Sequence, residues 1–113
     1  MSTTYNNREQ ILQGNSRQLF CAVVDSDGIF DLATFSAKFY AQKYPPRENS
    51  PIDISLNAAV IDTSNGVILF NLTEIDTSVA VGDYIYEIII DNSTSRISVV
   101  QDELQILNSI KPT

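Results

Sequence analysis

Hydrophobic and polar positions alternate along most of the chain, and the alternating runs recur about every ten residues between clusters of turn-forming residues. No stretch sustains a helical apolar period flanked by caps, so the predicted class is all-β. The first run, Gln10-Ile11-Leu12-Gln13, is short and closed by Gly14-Asn15. The second, Arg17 to Asp25, has the centre Leu19-Phe20-Cys21-Ala22-Val23-Val24, apolar on both faces, which predicts a central strand covered on both sides. Asp25-Ser26-Asp27-Gly28 is a turn by composition, since Asp side chains bond nearby amides and Gly accepts positive φ. Phe35, Ala37 and Phe39 then alternate with Thr34, Ser36 and Lys38, the mark of a half-buried strand.

Three prolines between Tyr44 and Pro51 exclude a central strand and predict an exposed connection. Ile52, Ile54, Leu56, Ala58 and Val60 share one parity, and Ile68, Phe70 and Leu72 share another after Thr63-Ser64-Asn65-Gly66. Asn65-Gly66 between alternating runs predicts a hairpin with a type I′ turn, in which both central residues take positive φ. Residues 73–82 are too irregular for a strand and leave room for one short helical turn. Tyr84, Tyr86, Ile88 and Ile90 share a face opposite Asp83, Ile85, Glu87 and Ile89. Arg96 to Val100 and, after a polar break, Leu104-Gln105-Ile106-Leu107 supply the last edge. About seven strands in this length fit a single immunoglobulin-like Greek-key β-sandwich of antiparallel strands better than a closed barrel. The expected organisation is an N-terminal arm with a short first strand over 1–13, a sandwich over 14–108 and a loose tail over 109–113.

Composition narrows the function more than the fold. A chain of 113 residues with 43% hydrophobic residues is the size and make-up of one domain with a real core. Its formal charge of -7 repels phosphate backbones and anionic lipids, and its basic residues are scattered, so neither nucleic acid nor a membrane surface is an expected partner. The first eight residues lack an apolar h-region and no apolar run approaches a membrane span, which predicts synthesis as a soluble protein without export by the usual signal. On that ground the sequons Asn71-Leu72-Thr73 and Asn92-Ser93-Thr94 read as fortuitous.

Candidate chemistry is sparse. With no histidine, imidazole metal sites and the usual general base near neutral pH are missing, and no cofactor is expected. Cys21 has no disulfide partner and lies mid-strand in apolar surroundings, which suits a buried, inert thiol. The acid pairs Asp25/Asp27, Asp62/Glu74 and Asp102/Glu103 are present for glycoside hydrolysis, but all fall at turns or strand ends, where solvated acids are the ordinary case. Asp25-Ser26-Asp27-Gly28 opens like a calcium loop yet lacks the third acid and the distal Glu, and an acidic turn accounts for it. The residues left for function are contact residues: Tyr40 and Tyr44, off the core parity or in a loop, Pro45 and Pro46 beside them, and Ile11 and Leu12 of the N-terminal arm.

The stretch from Asn71 to Ile88 resembles the approach to the sixth strand of immunoglobulin-like domains, a leucine, a loop, a valine, then glycine, any residue and tyrosine. The resemblance implies that Tyr84, reached through Gly82-Asp83, bonds its hydroxyl back to the preceding loop as a tyrosine corner. Together with Asp31 to Phe39 and the Asn65-Gly66 hairpin, the chain from Leu19 to Leu107 resembles the small immunoglobulin-like domains of tailed-phage virions, including the N-terminal domain of baseplate upper proteins. Two features depart from that pattern: Gln101-Asp102-Glu103 stands where a glycine is common, and the Tyr44–Pro51 connection is long. The resemblance implies a non-catalytic, stand-alone subunit located in the virion, associated with capsid, tail or baseplate. It would form a homo- or hetero-oligomeric assembly with other virion proteins through the arm, the 44–51 loop and a sheet edge. The alternative is a carbohydrate-binding or host-adhesion module using Tyr40, Tyr44 and nearby acids.

Overall fold

The computed structural model describes residues 9–26, 28–45 and 51–108. Ten strand segments account for its regular structure: β1 (Glu9–Leu12), β2 (Arg17–Ala22), β3 (Val24–Asp25), β4 (Gly28–Ile29), β5 (Ser36–Lys43), β6 (Ile54–Asn57), β7 (Val60–Asp62), β8 (Val67–Leu72), β9 (Gly82–Asp91) and β10 (Arg96–Leu107). The chain is all-β, as predicted, and among the described residues no helix is long and apolar enough to cross a membrane. A five-stranded sheet has the order β1-β10-β9-β5-β6, a three-stranded sheet the order β2-β8-β7, and β3 with β4 makes a small ribbon.

The two larger sheets meet across one hydrophobic core in a sandwich-like arrangement. Alternation drives it: β5 buries Ala37, Phe39 and Ala41, while β8 buries Ile68, Phe70 and Leu72. Phe39 of the first sheet and Phe70 of the second are fully buried with ring centroids 5.8 Å apart, and Phe39 also stacks on Tyr86 at 5.3 Å. Burying either phenylalanine is worth about 1.5–3 kcal/mol from area alone, so this cluster contributes substantially to holding the layers together.

Several expectations are corrected. The run Arg17 to Asp25 is not one central strand. It breaks at Val23, whose amide bonds the Gly66 carbonyl at 2.8 Å, and β2 lies at the edge of its sheet with Phe20 69% exposed. The shared parity from Ile52 to Val60 also fails at both ends. Ile54, Leu56 and Ala58 face the core of the first sheet, but Ala58 donates to Ala37 of β5 at 3.0 Å while Ala59 donates to Leu69 of β8 at 2.8 Å. Consecutive residues are thus bonded to different sheets, and the crossing turns Val60 outward to 52% exposure. Ile52, ahead of β6, is half exposed.

The polar break after Val100 is no break, since β10 runs unbroken through Gln101-Asp102-Glu103; its irregularity is a register shift between Ser98 and Val100. The strands are not all antiparallel either, because β1 pairs with β10 in parallel, Glu9 opposite Leu104 through Leu12 opposite Leu107. Of the expected arm, Glu9–Leu12 is therefore part of the sheet. Residues 1–8 and the tail over 109–113 lie outside the described residues.

Candidate functional site

Two turns fix the geometry around which the exposed residues are arranged. The predicted hairpin exists between β7 and β8, but its turn differs from the expected one. Asp62 pairs with Val67 across a four-residue connection, and among the described residues none other than glycine has positive φ, so Asn65 does not form a type I′ turn. The Asp62 carboxylate organises the connection instead, accepting from the amides of Ser64 (3.1 Å) and Asn65 (3.2 Å) and from Asn65 Nδ2 (2.8 Å). Those bonds, that to the Asn65 side chain first, hold Asp62 below the usual carboxylate range. Gly66 supplies the φ of 64° that returns the chain to β8.

At the opposite end, residues 73–82 carry one tight turn. Thr73 Oγ1 accepts from the Asp76 amide at 3.2 Å and Asp76 Oδ2 accepts from the Thr73 amide at 2.8 Å, a reciprocal cap of the kind that starts helices. Thr77, fully buried, donates its hydroxyl to the Asn15 carbonyl at 2.7 Å and ties this turn to the β1–β2 connection. Gly82, at φ 148°, then leads into β9. The hydroxyl of Tyr84 donates to the Ala80 carbonyl at 2.6 Å, the bond back to the preceding loop expected of this residue. Its side chain is buried, and burial first, the Asp53 carboxylate second, raises its pKa.

The predicted contact residues do not form one site. Ile11 is packed into the chain's own core opposite Ile106 and is withdrawn from any contact surface, whereas Leu12 beside it is 45% exposed. Tyr40 lies partly buried on the outward face of the five-stranded sheet, in one row with Ser55 and Glu87. Tyr44, 54% exposed, and Pro45 stand past the end of β5; Pro46 lies outside the described residues. Four residues of strand, about 13 Å, separate the two tyrosines. Tyr44 instead lines a shallow recess with Asp83, Tyr84 and Glu103, pinned there by its amide bond to the Asp83 carbonyl at 2.9 Å.

The acids give no paired arrangement. Asp62 and Glu74 flank opposite ends of β8, about 20 Å of strand apart, too far to act on one bond. Asp102 and Glu103 are sequence neighbours on β10 and point to opposite faces. Among the described residues no group of three or more His, Cys, Asp or Glu is placed to hold a metal, while Asp27 and the Asp25 side chain lie outside them. Cys21 is buried, and desolvation pushes its thiol up to about 11.

One feature escaped the sequence reading. On the three-stranded sheet Phe20, Leu69 and Val60 are paired in register across all three strands and face away from the core. The signal was present in the doubly apolar run of β2, which reads equally as a covered strand or as one with an exposed apolar face. No protein-family model and no curated protein matches the sequence.

Proposed function

We propose that the chain is an immunoglobulin-type Greek-key domain acting as a non-catalytic structural subunit of a tailed-phage virion, joined to its neighbours by protein contacts. The observation that carries the fold part is the Tyr84 hydroxyl bonded to the Ala80 carbonyl at 2.6 Å, four residues upstream at the entry to β9. The strand orders β1-β10-β9-β5-β6 and β2-β8-β7 support the same reading, since the chain repeatedly crosses between sheets in the way Greek-key sandwiches do. The assembly part rests on the phage-virion resemblance of the sequence, and residues at the surface fit it: Tyr40, partly buried on a sheet face, and the exposed Tyr44 and Pro45 at one end and Leu12 at the β1 edge. Large rings fixed on a rigid scaffold are efficient contact residues. The β10 edge over residues 96–102, ahead of the stretch that pairs with β1, also lacks a strand partner on that side among the described residues and offers a place for strand addition.

The test is incorporation into particles. Purified virions should contain the chain at fixed stoichiometry, and a Tyr40→Ala, Tyr44→Ala double variant, still folded by circular dichroism, should be depleted from them. Absence of the wild-type chain from particles refutes the reading.

The recess of Tyr44, Asp83, Tyr84 and Glu103 favours a second reading, a saccharide-binding module, because an exposed ring beside carboxylates is the chemistry that holds a sugar. Glycan-array binding that Tyr44→Ala abolishes would select it.

A further inference from the structure

The outward face of the three-stranded sheet carries three rows of paired residues: Gln18 with Asn71, Phe20 with Leu69 and Val60, and Ala22 with Val67 and Asp62. Phe20 is 69% and Val60 52% exposed, so the middle row is an apolar stripe in water. The same face is almost free of charge. Asp62 is its single ionisable side chain, and that carboxylate is turned onto the Ser64 and Asn65 amides of its own hairpin. The outward face of the other sheet, by contrast, carries Lys38, Asp83, Glu87, Asp91, Arg96 and Glu103.

We propose that a second copy of this chain docks on the Phe20–Leu69–Val60 face. The charge distribution selects that occupant. At a formal net charge of -7 two copies repel each other, and the face where they can approach without burying like charges is this one; a basic partner would find nothing here to pair with. The stripe also has the form a twofold needs. A twofold axis parallel to the strands, running over Leu69 midway between the two facing sheets, sets Phe20 of each copy over Val60 of the other, a self-complementary contact of large ring against small branched chain. Two strands of six residues and one of three, spaced ~4.8 Å apart, offer a patch of roughly 240 Å², well under the ~800 Å² per partner of a standard interface. The dimer is therefore weak and gains strength where several copies are held close together. This inference stands independently of the virion reading.

Sedimentation equilibrium of the full chain from 10 μM to 1 mM tests it, with Phe20→Lys and Val60→Glu as variants whose fold is checked by thermal unfolding at low concentration. Wild type should dimerise with increasing concentration, and each variant should weaken association at least tenfold. An equimolar mixture of the two should recover it, because the introduced ammonium of one copy then faces the introduced carboxylate of the other. Wild type that stays monomeric at 1 mM, variants that associate unchanged, or a mixture that fails to recover each overturns the proposal. So does a dimer that forms only after deletion of residues 1–8, which would make that segment the occupant.

Discussion

Phe70 and Phe20 sit one row apart on paired strands of the same small sheet and live in opposite surroundings. Phe70 pairs with Leu19, faces inward, is fully buried and meets Phe39 of the other sheet at 5.8 Å. Phe20 pairs with Leu69, faces outward and is 69% exposed. The same residue type on the same pleat thus does two jobs, and the difference lies only in parity. On the five-stranded sheet the outward positions are mostly polar or charged, so exposed rings there are few and Tyr40 stands among Ser55, Glu87 and Lys38. An apolar outer face is a feature of the three-stranded sheet and needs its own explanation.

Truncation separates the two phenylalanines most sharply. Phe70→Ala removes a ring that bridges both sheets and leaves a cavity between them, which should cost about 3–5 kcal/mol of unfolding free energy. Phe20→Ala leaves no cavity and, measured on dilute protein, should change stability by less than about 0.5 kcal/mol. Denaturant melts of the two variants check this. Comparable losses would mean that Phe20 is covered in the folded monomer, and the contrast between the faces would collapse.

A smaller effect is expected at the corner that anchors the five-stranded sheet. Tyr84→Phe keeps the buried ring and deletes the 2.6 Å bond to the Ala80 carbonyl; because Ala80 is exposed, water can reach that carbonyl and the loss should be only about 1 kcal/mol. The pH dependence is the distinctive readout. Burial raises the Tyr84 pKa above its ordinary value of 10.0, so its contribution is complete below that value and is lost as pH rises through the folded pKa. Unfolding followed from pH 8 to 11 should show an alkaline loss of stability in wild type that is shallower in Tyr84→Phe.

The sequence carried a large part of this architecture. The alternation of β5 and β9 and the place of the β7–β8 hairpin were legible because each depends on neighbours a few residues apart, while the Tyr84 bond was legible only through the resemblance of the Asn71–Ile88 stretch to immunoglobulin-like domains. What was not legible is what lies on the far side of a strand. Parity says that Phe20 and Leu19 point in opposite directions but not which direction is covered, and the doubly apolar β2, whose composition predicts a central strand, is an edge. Periodicity is equally blind to the exchange of sheets between Ala58 and Ala59, where a single hydrogen-bonding step reverses the meaning of Val60. Contact residues inherited the same ambiguity. Ile11 reads as part of an arm only until its parallel pairing with Ile106 carries it into the core.

The smallest expected effect concerns the hairpin of the three-stranded sheet, and it falls at the opposite end of the pH scale from that of Tyr84. Asp62 holds the four-residue connection through its carboxylate, and the bonds it accepts from Asn65 and Ser64 lower its pKa below the ordinary 3.8. A depressed carboxylate pKa stabilises the fold fully above the unfolded value, and that contribution is lost as pH falls through the folded value. Asp62→Ala should therefore reduce stability slightly at neutral pH and flatten the acid limb of the profile between about pH 5 and 2, leaving the alkaline limb as in wild type. Since Asp62 ends the outward row that contains Ala22 and Val67, Asp62→Ala also removes the last ionisable group from that face. If charge is what limits the approach of two copies there, the variant associates at least as well as wild type in sedimentation. Weaker association would mean that the hairpin's shape, and not the neutrality of the face, governs the contact.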